Sequence, residues 1–250
     1  MASKQDTVPA AEWKTRVDLA AAYRLFHLLG MTDLIYTHMS ARVPGEEQHF
    51  LINPYGLMFH EVTASNLIKV DIDGNLAEES DGEANPAGFT IHSALYMARS
   101  DIGCAIHLHT NAGMAVSAQA GGLLPLTQHS LRWYDRIAYH DYEGIALDER
   151  ERERLARDLG NHHSMILRNH GLLTVGRDVP EAAVLMYYLE QSCRTQIAAL
   201  SGGRPLVTPS PEVCEHTARQ YERAYPRAGV LEWGALLRWI EGQGGDGYRA

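Results

Sequence analysis

The run CAIHLHT, Cys104–Thr110, constrains this chain more than any other stretch. It is apolar apart from two histidines set two apart and a closing threonine, and an extended strand directs residues i and i+2 to one face. His107 and His109 therefore project side by side, with Ile106 and Leu108 on the opposite face. Such a strand is a two-imidazole grip for a metal ion.

The elements around it come from period and punctuation. From Glu12, the positions Trp13, Val17, Ala20, Ala21, Leu25 and Leu28 keep a helical period, and Gly30 stands where a C-cap is expected. The β-rich runs DLIYTHMSARV, HFLINPYG and LIKVDIDGN follow, broken by Pro-Gly, Pro-Tyr-Gly and Asp-Gly turn signals. PAGFTIHSALYMARS reads as a helix, with Pro86 in its first turn and adjacent stripes of Phe89, His92, Tyr96 and of Ile91, Leu95. After the histidine strand come a short helix (NAGMAVSAQA), a strand and turn (RIAYHDYEG) and a charged helix (LDERERERLARDLG). In that last helix Leu147, Leu155 and Leu159 make a thin apolar stripe, and the charge run reads as a solvated face.

Two further β-rich runs, SMILRNH and LLTVG, flank His170 and Gly171. A long helix from near Pro180 carries Ala182, Met186, Leu189, Cys193 and Ile197 on one face and ends at SGG. The tail adds a helix over Pro211–Tyr225, an apolar piece over Leu231–Ile240 and a Gly-rich end expected to be loose. There is no regular βαβ alternation, internal repeat or GxGxxG loop. The pattern predicts one α/β domain spanning 1–250, with a core over about 12–201 and a helical tail over 209–241, built on a central, mainly antiparallel sheet layered between helices.

Composition narrows the partners. A net charge of −9 without a Lys/Arg cluster argues against nucleic acid or an anionic membrane and leaves a small molecule as the expected ligand. No run is apolar enough for a signal peptide or a membrane span, and Cys104, Cys193 and Cys214 show no CxxC spacing, so reduced thiols and a cytoplasmic location are expected.

A third histidine strengthens the metal reading. His170, in the turn RNHGLL between two predicted strands, can aim its imidazole at a neighbouring strand end. Three neutral imidazoles bind Zn, Fe, Mn or Co and leave positions open for water or substrate. His162, His163, His27, His49, His60, His129 and His216 have no geometric argument behind them.

NPAGFTIHSALYMARSDIGCAIHLHTNAGMAVSA, followed by YHDYEGIAL and ILRNHGLLTVG and preceded by YTHMSARVPG, FLINPYGLMFHEVT and VDIDGN, resembles the class II aldolase/adducin family over about Trp13–Leu200. The resemblance implies an α/β/α fold and one divalent metal per subunit, zinc first among the choices, on His107, His109 and His170. It also implies a homotetramer with active sites between subunits. The departures carry information too. Sugar-phosphate aldolases of the family have a Ser-Ser-Glu-type segment where this chain has Pro86, Ala87 and Gly88, so no carboxylate occupies the acid/base position. Their Gly-Asn and Thr-Pro-Thr-Gly-like phosphate elements are replaced by THMS and NPYG.

The chain therefore resembles the adducin-like branch. His38, Tyr55, His140 and Tyr142 are the candidates for proton transfer, with Asp141 beside the last two. Asn53, Gly56, Gly88 and Arg168 are the candidates for binding substrate, and His92 is a ligand or a buried partner of one. The expected activity is a metal-dependent carbon–carbon lyase, aldolase-like or decarboxylating, on a small unphosphorylated oxo or hydroxy acid. The alternatives are a mononuclear iron oxygenase and a non-catalytic adducin-like assembly module.

Overall fold

The computed structural model describes residues 3–80, 82–144 and 149–250. Seven strands form one sheet: β1 (His38–Val43), β2 (Glu46–Ile52), β3 (Ile68–Asp71), β4 (Cys104–Leu108), β5 (Ala138–His140), β6 (Ser164–Leu167) and β7 (Gly171–Gly176). Their order is β3-β2-β1-β4-β7-β6-β5, and every neighbouring pair is antiparallel except β5–β6. β4 lies at the centre, and all five of its residues are buried. A strand covered on both faces needs a continuous apolar run, which is why CAIHL lacks the polar alternation of a half-exposed strand.

Helices cover the two faces: α1 (Lys4–Thr7), α2 (Ala10–Leu28), α3 (Pro86–Ala98), α4 (Asn111–Ser117), α5 (Gln128–Leu131), α6 (Glu149–Leu159), α7 (Val179–Ser201), α8 (Pro211–Ala224) and α9 (Glu232–Gly242). One core packs α2 and α7 through Leu19, Phe26, Met186 and Leu189 against Met39, Ile106, Leu108 and Leu172. The other packs α3 and α6 through Ile91, Leu95, Leu155 and Leu159 against Phe50, Ala105, Leu173 and Val175. The predicted layered α/β domain with a mainly antiparallel sheet is thus the observed one. Since Ile106 and Leu108 face α2 and α7, the alternate residues His107 and His109 project to the side of α3 and α6.

Four sequence expectations need correction. Within DLIYTHMSARV only His38–Val43 is strand; 33–37 is a loop with Leu34 at φ 48° and Thr37 at φ 65°. The short helices α1 and α5 were not anticipated. The charged helix α6 is not wholly a solvated face, because Glu151 is 8% exposed and Asp158 bonds inward to His140; Leu147 of its expected stripe lies outside the described residues. The Gly-rich end is anchored: Asp246–Arg249 forms a 3-10 turn, Tyr248 is buried, and the backbone N–H groups of Ala64 and Ser65 donate to the carbonyls of Tyr248 and Ala250. The tail helix α9 is likewise tied back, its Trp233 Nε1–H donating to Asp18 on α2 at 3.0 Å.

Candidate metal centre

Topology gathers the candidate residues at one end of the sheet. His38 opens β1 and pairs in register with His107 near the end of β4. His170 precedes β7, whose Gly171 pairs with Leu167 at the end of β6, and His140 ends β5 opposite Leu167. The NPYG turn leaves β2 at the same end, because Ile52 pairs with Ser40.

The β6–β7 turn aims His170. Asn169 adopts φ 55°, the His170 N–H closes the turn on the Leu167 carbonyl at 3.1 Å, and the Arg168 N–H donates to His140 O at 2.8 Å. Gly171 is required by close approach: a Cβ there would stand 2.6 Å from Leu108 O and 3.2 Å from the His109 ring. The ring centroids of His107, His109 and His170 then lie 4.7–4.8 Å apart, and one nitrogen from each lies within 4.8 Å of the others.

The tautomers follow from the partners. His107 Nδ1 faces the Leu172 carbonyl at 3.0 Å and His109 Nδ1 faces Asp33 Oδ2 at 2.9 Å; both partners are acceptors, so both Nδ1 atoms carry hydrogen and donate. With each ring neutral, its Nε2 is a bare lone pair, and the two stand 2.9 Å apart and point at each other. A cation between them removes that repulsion, and nitrogens on a tetrahedral zinc ion stand about 3.3 Å apart, so a few tenths of an ångström of opening seats one. A carbonyl and a carboxylate behind the ligands are the supports expected of metal-binding imidazoles.

Electrostatics agree with this arrangement. Burial, then the neighbouring imidazoles, hold His107 well below the ordinary histidine range, and the same causes lower His170 to about 4. His107 and His170 are therefore neutral near pH 7, as a metal requires of its ligands. Among the described residues four non-glycine residues have positive φ, and three of them, Leu34, Thr37 and Asn169, adjoin the centre. Such strain persists where the surroundings impose it and clusters at functional sites.

His38 stands beside the three histidines, its ring centroid 5.2 Å from that of His107. Its Nδ1 meets His92 Nε2 at 3.1 Å, His92 Nδ1 meets Ser40 Oγ at 2.6 Å, and Ser40 Oγ meets Tyr96 OH at 2.8 Å. Burial holds His38 well below its ordinary range and His92 at about 3. The His38 ring occupies the space over Gly88, where a Cβ would lie 2.7 Å from its Cδ2. A carboxylate side chain at position 88 has no room while His38 is so placed.

The other candidates fall into two groups. His140, Tyr142 and Arg168 share a small cavity with His170, although Arg168 also donates to Gln119 O at 2.8 Å and stacks on Tyr139 at 4.2 Å. Asn53 is buried and tied to Tyr23, whose hydroxyl meets its Oδ1 at 2.6 Å, while Tyr55 and Gly56 are exposed on the turn beyond it. Sequence reasoning missed Asp33, Glu151 and Asp158. Asp33 carries no local signal; Glu151 stands four positions before Leu155 and Asp158 three after it, where alternating charge masks an inward carboxylate.

The model of the Class II Aldolase and Adducin N-terminal domain matches residues 17–197. The chain belongs to this family. The structure of an aldolase II superfamily protein from Pseudomonas syringae superposes with a TM-score of 0.94 at 51% identity, covering 100% of both chains. That of L-fuculose 1-phosphate aldolase from Glaciozyma antarctica has a TM-score of 0.85 at 30% identity and covers 96% of this chain and 94% of the other. Alpha-adducin of Mus musculus is 47% identical over 194 residues, 76% of this chain and 26% of its own length. Class II aldolases are lyases that use a divalent metal, typically zinc, and the three-histidine cluster of this family member suits one. No helix among the described residues is long and apolar enough to cross a membrane.

Proposed function

We propose that this protein is a divalent-metal-dependent carbon–carbon lyase, of aldolase or decarboxylase type, acting on a small unphosphorylated oxo or hydroxy acid. The observation that carries the reading is the pair of facing Nε2 atoms of His107 and His109, with His170 beside them. These three residues would hold the metal, zinc by preference. Bound there, a divalent ion supplies positive charge to a substrate's oxo and carboxylate oxygens, and so stabilises the negative charge that breaking a carbon–carbon bond develops.

The chain's own residues do the rest. Asp33 and the Leu172 carbonyl orient the ligand rings. His38, fixed by His92, and Tyr55, His140 and Tyr142 are the candidates for moving protons, while Asn53, Gly56, Gly88 and Arg168 are the candidates for binding the substrate. His38 over Gly88, where sugar-phosphate aldolases have their serine and glutamate segment, supports an unphosphorylated substrate.

The same reading makes the protein a cytoplasmic homotetramer with the site at a subunit boundary. Exposed Leu34, Tyr36 and Tyr142 at the histidine end of the sheet support a partner surface there. Light scattering of the purified protein should return four chain masses. A panel of 2-oxo and 2-hydroxy acids should show cleavage or carbon dioxide release that chelator treatment abolishes and zinc restores, and that His109→Ala removes without unfolding the protein. Undiminished turnover in a verified metal-free preparation contradicts the proposal.

A further inference from the structure

The lyase reading leaves a gap: carbon–carbon cleavage leaves an enolate fragment that must take up a proton, and position 88 carries no carboxylate to manage it. We propose that His140, held between Asp158 and Glu151, is the proton-transfer group of this site, the two carboxylates from α6 replacing the one that has no room at position 88. This inference rests on the lyase reading.

Three observations support it. His140 is buried at the end of β5, and its Nδ1–H donates to Asp158 Oδ2 at 2.8 Å, which fixes Nε2 as the nitrogen facing away from Asp158. That Nε2 stands 3.4 Å from Glu151 Oε1 without hydrogen-bond alignment, so it is a buried polar atom without a hydrogen-bond partner. Buried groups left this way call for a missing partner. Finally, Glu151 and His140 line a cavity of about 10 Å³ together with Tyr142, Leu155, Arg168 and the metal-ligand candidate His170. A space of that size holds about one water or one substrate oxygen.

The chemistry balances without another reactant. Asp158 stays a carboxylate, held below the ordinary range by its bonds from His140 and Arg157 against the effect of burial. The proton to be delivered is one that His140 Nε2 takes up from solvent, with the Glu151 carboxylate oxygen 3.4 Å away to offset the charge that the ring then carries. His140 Nε2–H passes that proton, directly or through the water, to the enolate carbon; a carbon–hydrogen bond forms, the nitrogen–hydrogen bond breaks, and neutral imidazole remains with Nδ1–H on Asp158. Solvent returns the proton. Asp158 and Glu151 are positioning residues that act through His140.

The test uses the full-length, zinc-loaded protein with pyruvate as probe, following exchange of its methyl protons with deuterium oxide. His140→Gln and Glu151→Gln should each slow exchange at least 100-fold with zinc content and Tm unchanged, and Glu151→Asp should recover part of the rate. Exchange at the wild-type rate in both variants overturns the inference and leaves the lyase reading standing. Zinc-loaded wild type that exchanges nothing overturns the lyase reading, and this inference with it. A readout independent of turnover is the nitrogen-15 spectrum of the metal-free protein: His140 should carry hydrogen on Nδ1, and hydrogen on Nε2 alone overturns the inference.

Discussion

At the residue scale, the centre depends on tautomers more than on proximity. Asp33 and the Leu172 carbonyl each take an Nδ1–H, and this is what turns both Nε2 atoms toward one point. Asp33→Asn should therefore weaken zinc binding about 10- to 100-fold, as loss of a carboxylate behind a ligating histidine does elsewhere, read by competition with a chromogenic chelator. Unchanged affinity would show that Asp33 does not orient the ring. Gly88→Ala makes a second residue-level case. A Cβ 2.7 Å from the His38 ring must displace it, at a cost of about 1–3 kcal/mol for overpacking, so turnover should fall with a modest loss in Tm. His107 and His109 were legible in the sequence because a strand's period of two is strict, and His170 because a turn between two strands is marked by Gly171. Asp33 was not legible, since it reaches His109 through a loop whose Leu34 and Thr37 adopt positive φ without any glycine to announce it.

At the scale of elements, the period-based reading placed all seven strands, and its error over α6 has an identifiable cause. It assigned α6 by counting leucines, and a helix with two buried leucines and eight charged positions reads as solvated. The missing signal lay on another element: His140 on β5 supplies the partner that lets Glu151 and Asp158 turn inward. Acid should reveal how the elements depend on neutral imidazoles. Burial lowers His92 to about 3 and His170 to about 4, whereas in the unfolded chain both titrate near the ordinary histidine value of 6.5. Below pH 6.5 the unfolded chain binds protons that the folded chain refuses, so stability contributed by the neutral rings is present above that pH and is lost as pH falls toward 4. The maximum slope is about 1.4 kcal/mol per pH unit for each such ring. Urea midpoints of the metal-free protein should drop between pH 7 and pH 5; equal midpoints would contradict the burial argument.

At the scale of the whole molecule, the sheet works as a frame that delivers residues far apart in sequence to one end. His38, His107, His140 and His170 come from four strands or their turns, and register alone sets them side by side. The chain's end was misread because one aromatic residue among glycines shows no period, yet Tyr248 is buried against the α2 side of the core. The central claim is that this frame exists to hold a metal. The most direct measurement is elemental analysis by plasma mass spectrometry of tag-free protein purified without chelator, beside His107→Ala. The account predicts close to one zinc, or another divalent ion, per chain in the wild type and loss of it in a folded variant. No bound metal in either protein, even after reconstitution, would contradict it.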